Sequence, residues 1–207
     1  MKAIIYADGF NLYYGAVKGA PYKWLNIKTL CQLLLPRNQI VKIKYFTAPA
    51  TGRSNDPDQP NRQQLFFRAL ETIPELEIIF GYFLSHQIMM PLAHPVPGQP
   101  KSVQVIKTEE KGSDVNIAAH LVNDGYKGLY QVAILVSNDS DLTEPVKIVR
   151  NELKLPVGVL NPFVHTSFDL RRHASFVKPI HSVVLAASQF PPTLHDANGT
   201  FYEPSTW

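Results

Sequence analysis

Asp8, Asp114, Asp139 and Asp141 each stand where an apolar run stops or a helical pattern begins. Asp8 follows KAIIYA. Asp139 and Asp141 follow YQVAILV within Ser137-Asn138-Asp139-Ser140-Asp141, and Asp114 closes Glu109-Glu110-Lys111-Gly112-Ser113-Asp114. Carboxylates gathered in one cleft repel one another, and burial disfavours their ionisation, so such a group calls for a cation. An all-oxygen donor set suits Mg²⁺ or Mn²⁺. A hard ion that keeps its waters generates a hydroxide nucleophile and neutralises a phosphate in the transition state. The chemistry is phosphodiester hydrolysis. Asn11 then serves as a neutral ligand or water-positioner, and Lys111 as a contact for a phosphate oxygen.

Each residue also has a structural reading. Asp8-Gly9 is a common turn pair. Asp114 favours a helix macrodipole, and Ser113 or Asp114 is a candidate cap. Asp141 with Glu144 has the shape of a capping box, and Asp139 can close an Asx-turn. The functional reading rests on all four meeting at one end of one sheet.

The elements that must bring them there read as follows. Residues 2–7 form a buried strand. Asn26 caps a helix over 27–35, with Pro36 beyond it. Residues 40–47 (IVKIKYFT) alternate apolar and basic, a strand with one solvated or ligand-facing side. Residues 51–61 are a loop, and 63–72 carry a helical stripe. Residues 76–84 (LEIIFGYFL) and 103–107 are two strands joined by a protruding proline-rich loop at about 90–100. Helices follow at 113–123 and 145–153, and strands at 130–136 and 156–160. The alternation predicts an α/β fold with a mainly parallel sheet and helices on both faces, its ligands beyond the carboxyl ends of the strands. Residues 1–181 read as one domain and 182–207 as a tail ordered by packing or loose, in which no function is placed.

Composition bounds the rest. The chain of 207 residues is 45% hydrophobic and 18% charged, a globular balance with enough length for a core. The net charge of +3 suits a polyanionic partner without requiring one. A single cysteine, Cys31, sits on an apolar helical stripe and points to a reducing, cytoplasmic setting rather than to thiol catalysis. No apolar run reaches membrane length. The sequence holds neither a G-x-G-x-x-G turn nor a P-loop, and its histidines lack zinc-ligand spacing. A haloacid-dehalogenase-type phosphatase needs an acid two residues after its first aspartate, and Phe10 stands there.

Three motifs carry a family resemblance: Asp8-Gly9-Phe10-Asn11-Leu12-Tyr13, Glu110-Lys111-Gly112-Ser113-Asp114-Val115 and Ser137-Asn138-Asp139-Ser140-Asp141-Leu142. In this order the chain resembles the NYN domain, a branch of the PIN-like nuclease superfamily, and specifically its LabA-like group. The resemblance implies a three-layer α/β/α sandwich, a Mg²⁺ (or Mn²⁺) site and ribonuclease activity on RNA, single-stranded nucleic acid included. It assigns the metal to Asp8, Asp114 and Asp139, with Asn11 and Asp141 in catalytic support. Lys111, Tyr13, Ser137 and Asn138 are then the substrate-binding set. The third motif departs from the family's Ser-Gly-Asp-Ser-Asp-Phe at Asn138 and Leu142; asparagine tolerates the left-handed backbone that glycine would supply. Ser175 stands where the family's closing segment carries an acid. Arg53, Arg62, Arg68, Lys42, Lys44 and Lys107 offer a phosphate path, and Phe10, Tyr14 and Trp24 offer rings for bases. The alternative is an RNA-binding or scaffold module with weak or no catalysis; the oligomeric state stays open between monomer and homodimer.

Overall fold

The computed structural model describes residues 1–52, 56–98 and 100–207. Its centre is a six-stranded, all-parallel sheet in the order β3-β2-β1-β6-β7-β8, formed by Leu76–Phe80, Gln39–Thr47, Lys2–Asp8, Val132–Val136, Val157–Asn161 and Phe176–Pro179. Strand order reverses between β1 and β6, and a crevice opens at the carboxyl ends there. Helices cover both faces, as the alternation predicted.

Alternate residues of β1 serve opposite faces. Ala3, Ile5 and Ala7 pack with α2 (Ile27–Leu34) and α3 (Gln59–Glu71), whose Ile27, Leu30 and Leu70 are fully buried. Ile4 and Tyr6 face α4 (Ser113–Tyr126) and α5 (Thr143–Asn151) through Ile117, Leu121, Val146 and Val149. Asp8, next in the even series, therefore ends on the α4 side. Asn26 caps α2 as its sequence position indicates, accepting from Thr29 N–H at 3.0 Å. Burial pushes the Cys31 thiol up to about 12, as its place on an apolar stripe implies.

The structure corrects one expectation, adds elements the sequence did not mark, and decides between the two alternatives left for the tail. The run 76–84 is not one strand. It breaks at Gly81, and Tyr82–Pro91 (β4) leaves the sheet to pair antiparallel with Ser102–Lys111 (β5) as a separate ribbon. A Cβ on Gly81 would run into the Glu110 carboxylate and the Lys111 carbonyl, so only glycine fits that crossing. A short helix, α6 (Phe168–His173), precedes β8, and both lie beyond the predicted elements. Residues 182–207 are ordered: α7 (Ser182–Ala186) leads to a hairpin of β9 (Thr193–Asp196) and β10 (Gly199–Tyr202). Phe190 and Phe201 are buried there, Arg68 pairs with Asp196 at 2.6 and 2.7 Å, and Trp24 Nε1–H donates to the Pro191 carbonyl at 2.9 Å. No helix among the described residues is long and apolar enough to cross a membrane.

A buried polar cluster ties α4 to the sheet. Lys44 donates to Asp124 at 2.6 Å and to His120 Nδ1 at 2.9 Å, and the Tyr6 hydroxyl donates to the same Asp124 oxygen at 2.8 Å. The side of β2 expected to be solvated or ligand-facing thus carries, at Lys44, an internal ion pair. Removing one member leaves the other charge buried and alone, which costs more than the pair contributes. Asp124→Ala is expected to lower the free energy of unfolding by about 3–5 kcal/mol in urea melts. Tyr6→Phe, which leaves the ion pair in place, is expected to cost about 1 kcal/mol.

Candidate active site

Asp8 is only 4% exposed, at the carboxyl end of β1 beside the end of β6. The chain does not turn at Asp8-Gly9. It enters a four-residue helix, α1 (Gly9–Leu12), which Asp8 caps by accepting from Asn11 N–H at 2.9 Å. Gly9 is required by close approach: a Cβ there would lie 2.7 Å from the Tyr45 ring and 2.8 Å from the Phe46 carbonyl. The second Asp8 oxygen accepts from the Ser137 hydroxyl at 3.0 Å. Burial pushes the Asp8 carboxyl up to about 6; the two hydrogen bonds oppose the shift, and the charges of Asp114 and Asp139 add to it.

Asp114 lies in the first turn of α4. Its carboxyl is also raised, by burial first and then by Asp139, Glu110 and Asp141. Neither Ser113 nor Asp114 caps the helix; Glu110 does that work, accepting from Ser113 N–H at 3.2 Å and its hydroxyl at 2.8 Å. Asp139 follows β6, and its N–H donates to the Ser137 hydroxyl at 3.1 Å, the same hydroxyl that binds Asp8. Asp139 does close a turn, accepting from Asp141 N–H at 2.9 Å, while it also faces Asp8 and Asp114. Asp141 is exposed, and α5 has no side-chain cap, so the Asp141–Glu144 capping box is absent.

Among the described residues, no three of His, Cys, Asp and Glu are placed to enclose a metal ion unaided. Mg²⁺ rarely asks for that: it keeps several waters and binds through one or two carboxylates plus substrate phosphate. A buried carboxylate of raised proton affinity, faced by Asp114 and Asp139, has the donor chemistry for such an ion.

Other expected contacts turn inward. Ser137 is fully buried and serves Asp8 and Asp139. Asn138 N–H donates to Asn11 Oδ1 at 2.7 Å, its Nδ2 to the His165 carbonyl at 2.9 Å, and its Oδ1 accepts from Ser167 N–H at 2.6 Å. Expected at the substrate, both instead hold the loops together. Asn138 does not adopt the left-handed backbone; among described non-glycine residues only Lys154 does, at φ 57°. With its carbonyl engaged, Asn11 keeps its NH₂ for the cleft, a donor suited to a phosphate oxygen or water rather than to a cation. Ser175, at the acid's place, receives Val157 N–H at 3.0 Å.

The basic path does not assemble. Lys44 is buried, Lys42 pairs with Glu77 at 3.1 Å, and Arg68 is held by Asp196. Arg62 pairs with Asp56, and Lys107 and Lys111 flank Glu109 at 2.6 and 3.4 Å. Arg53 lies outside the described residues.

The acids open into a cleft of about 1220 Å³ lined by Asp8, Asp114 and Asp139 with Tyr13, Tyr14, Phe163 and Trp207 among others. The ribbon walls it through Phe83, Ile106, Thr108 and Glu110, with Phe10 edge-on to Phe83 at 5.7 Å. Trp24, proposed for stacking, is fully buried instead. Sequence reasoning missed Phe163 and Trp207, which sit in no motif. Glu110 was in view but unassigned; its spacing from Ser113 was the usable signal.

The chain is 29% identical over 238 residues to 6-hydroxy-3-succinoylpyridine 3-monooxygenase HspA of Pseudomonas putida (strain DSM 28022 / S16), across 100% of this chain and 75% of that protein. A crystal structure of a protein of unknown function from Vibrio parahaemolyticus RIMD 2210633 superposes with a TM-score of 0.57 at 21% identity, covering 87% of this chain and 93% of that one. The family model of the NYN domain matches residues 2–181, and with its parallel sheet and acidic carboxyl edge this chain belongs to the NYN domain family.

Proposed function

We propose that the chain is a metal-dependent ribonuclease acting on cytoplasmic RNA, with Mg²⁺ or Mn²⁺ held among Asp8, Asp114 and Asp139 through one or two of these carboxylates, water and substrate phosphate. The observation that carries this reading is the Asp8 carboxylate, 4% exposed, raised in proton affinity and faced by two further acids. Asn11 N–H and the Ser137 hydroxyl orient that carboxylate, and Glu110 fixes the helix start that presents Asp114. An ion held there would supply an activated water and neutralise phosphate charge. Asn11 NH₂ is the donor offered to a phosphate oxygen or the attacking water. Asp141 supports the loop through its N–H rather than through its carboxylate.

A second reading comes from the Pseudomonas relative, named for oxygenation of a pyridine: the ring-lined cleft would accept an aromatic acid. Turnover of a hydroxypyridine, with O₂ and a reductant consumed and no strand cleavage, would favour it. RNA binding by the wild type without cleavage in either metal would reduce the chain to a binding module.

Asp8→Asn, Asp114→Asn and Asp139→Asn are each expected to abolish Mn²⁺ binding or RNA turnover, and Asp141→Asn to do less harm. Wild-type cleavage in all of the first three would end the proposal. Asp8 also sets a pH dependence. The folded carboxyl keeps its proton up to about 6, whereas the unfolded one releases it near 4, so the folded state binds more protons between these values. Stability from this group is therefore gained as pH falls through about 6 and lost at neutral pH. Metal-free Asp8→Asn is expected to exceed wild type in stability by about 2–3 kcal/mol at neutral pH, with the gap closing towards pH 4 in thermal melts.

A further inference from the structure

Beyond its acids, the cleft is lined by rings and by three basic residues, Lys18, Lys23 and Arg62. Arg62, its guanidinium lining, is held by Asp56 at 2.6 and 2.7 Å, and Lys18 stands 4.7 Å over the Tyr14 ring. The five residues after α1, Tyr13–Val17, form a π-helical turn, a rare geometry that recurs at functional sites. The neighbouring Tyr13 and Tyr14 rings at its start lie edge to face at 5.3 Å, with Tyr14 53% exposed. Gly15 of the same turn lies against Phe163, whose ring a Cβ there would meet at 2.7 Å. Trp207 is 38% exposed and backed at 6.2 Å by Trp24, which is itself fully buried. Rings held from behind and open in front are stacking surfaces.

We propose that Tyr14, Phe163 and Trp207 stack unpaired nucleobases of the strand whose phosphate reaches Asp8, and that these rings exclude duplex. This rests on the ribonuclease reading and deepens it. Bases in a duplex are already stacked on each other and offer no free face. A single small ring is a poorer fit, because about 1220 Å³ exceeds the usual range of small-molecule pockets, roughly 300–1,000 Å³.

The test is fluorescence anisotropy with an oligouridylate and an abasic strand of equal length, in chelator, with strand integrity checked on gels. Wild type is expected to bind the abasic strand at least about tenfold more weakly. Tyr14→Ala and Trp207→Ala are each expected to weaken oligouridylate binding about tenfold and leave abasic binding unchanged, while Tyr14→Phe and Trp207→Phe restore it. Equal binding of the two strands, equal losses on both in the alanine variants, or binding of a pyridine carboxylate with none of the oligouridylate would each overturn the proposal. Base-dependent binding without Mn²⁺-dependent cleavage supports the stacking sites and removes the ribonuclease reading. Cleavage with base-blind binding does the reverse.

Discussion

Burying the Asp8 carboxylate is the constraint around which this end of the molecule is built. A charged group with almost no water must find donors from the protein. Asn11 N–H is available because the chain enters a helix immediately after Asp8, and the Ser137 hydroxyl because β6 ends beside β1. The demand then spreads. Asn11 takes Asn138 N–H, and Asn138 fastens the loop after β7 through His165 and Ser167. One carboxylate thereby sets the position of three strand ends and of the acids behind them.

The second acid arrives from a different layer. Asp114 belongs to α4, and α4 is fixed to β1 and β2 by Tyr6, Lys44 and Asp124. Tyr6 and Asp8 share a strand and a face, so the cluster that anchors the helix and the carboxylate that faces its first turn are referenced to the same backbone. Charges hidden in this way destabilise unless paired, and here they are paired inside the protein.

Much of this was legible in the sequence where the signal was local. An apolar run closed by Asp8, another closed by Ser137-Asn138-Asp139, and Asn26 before a leucine stripe each state their own outcome. What stayed hidden depended on partners distant in the chain. LEIIFGYFL reads as one strand because composition says nothing about which neighbour each half will pair with; Gly81 reveals its purpose only against Glu110 and Lys111. Alternation in IVKIKYFT marked Lys44 as facing outward, since its partner Asp124 is 80 positions away. The inward roles of Ser137 and Asn138 follow from Asp8 and His165, which no motif spacing displays. Trp207 and Phe163 reach the cleft through the packing of the tail and the π turn, contacts without a sequence signature.

The root of the ribbon has a mechanical consequence. Gly81, Glu110 and Gly112 crowd one crossing point, and the Glu110 side chain at that point also clasps Ser113, one residue before Asp114. The root of the projecting arm and the tip of α4 that carries the acid are therefore joined through one side chain, so the strand that builds the arm also fixes where α4 begins.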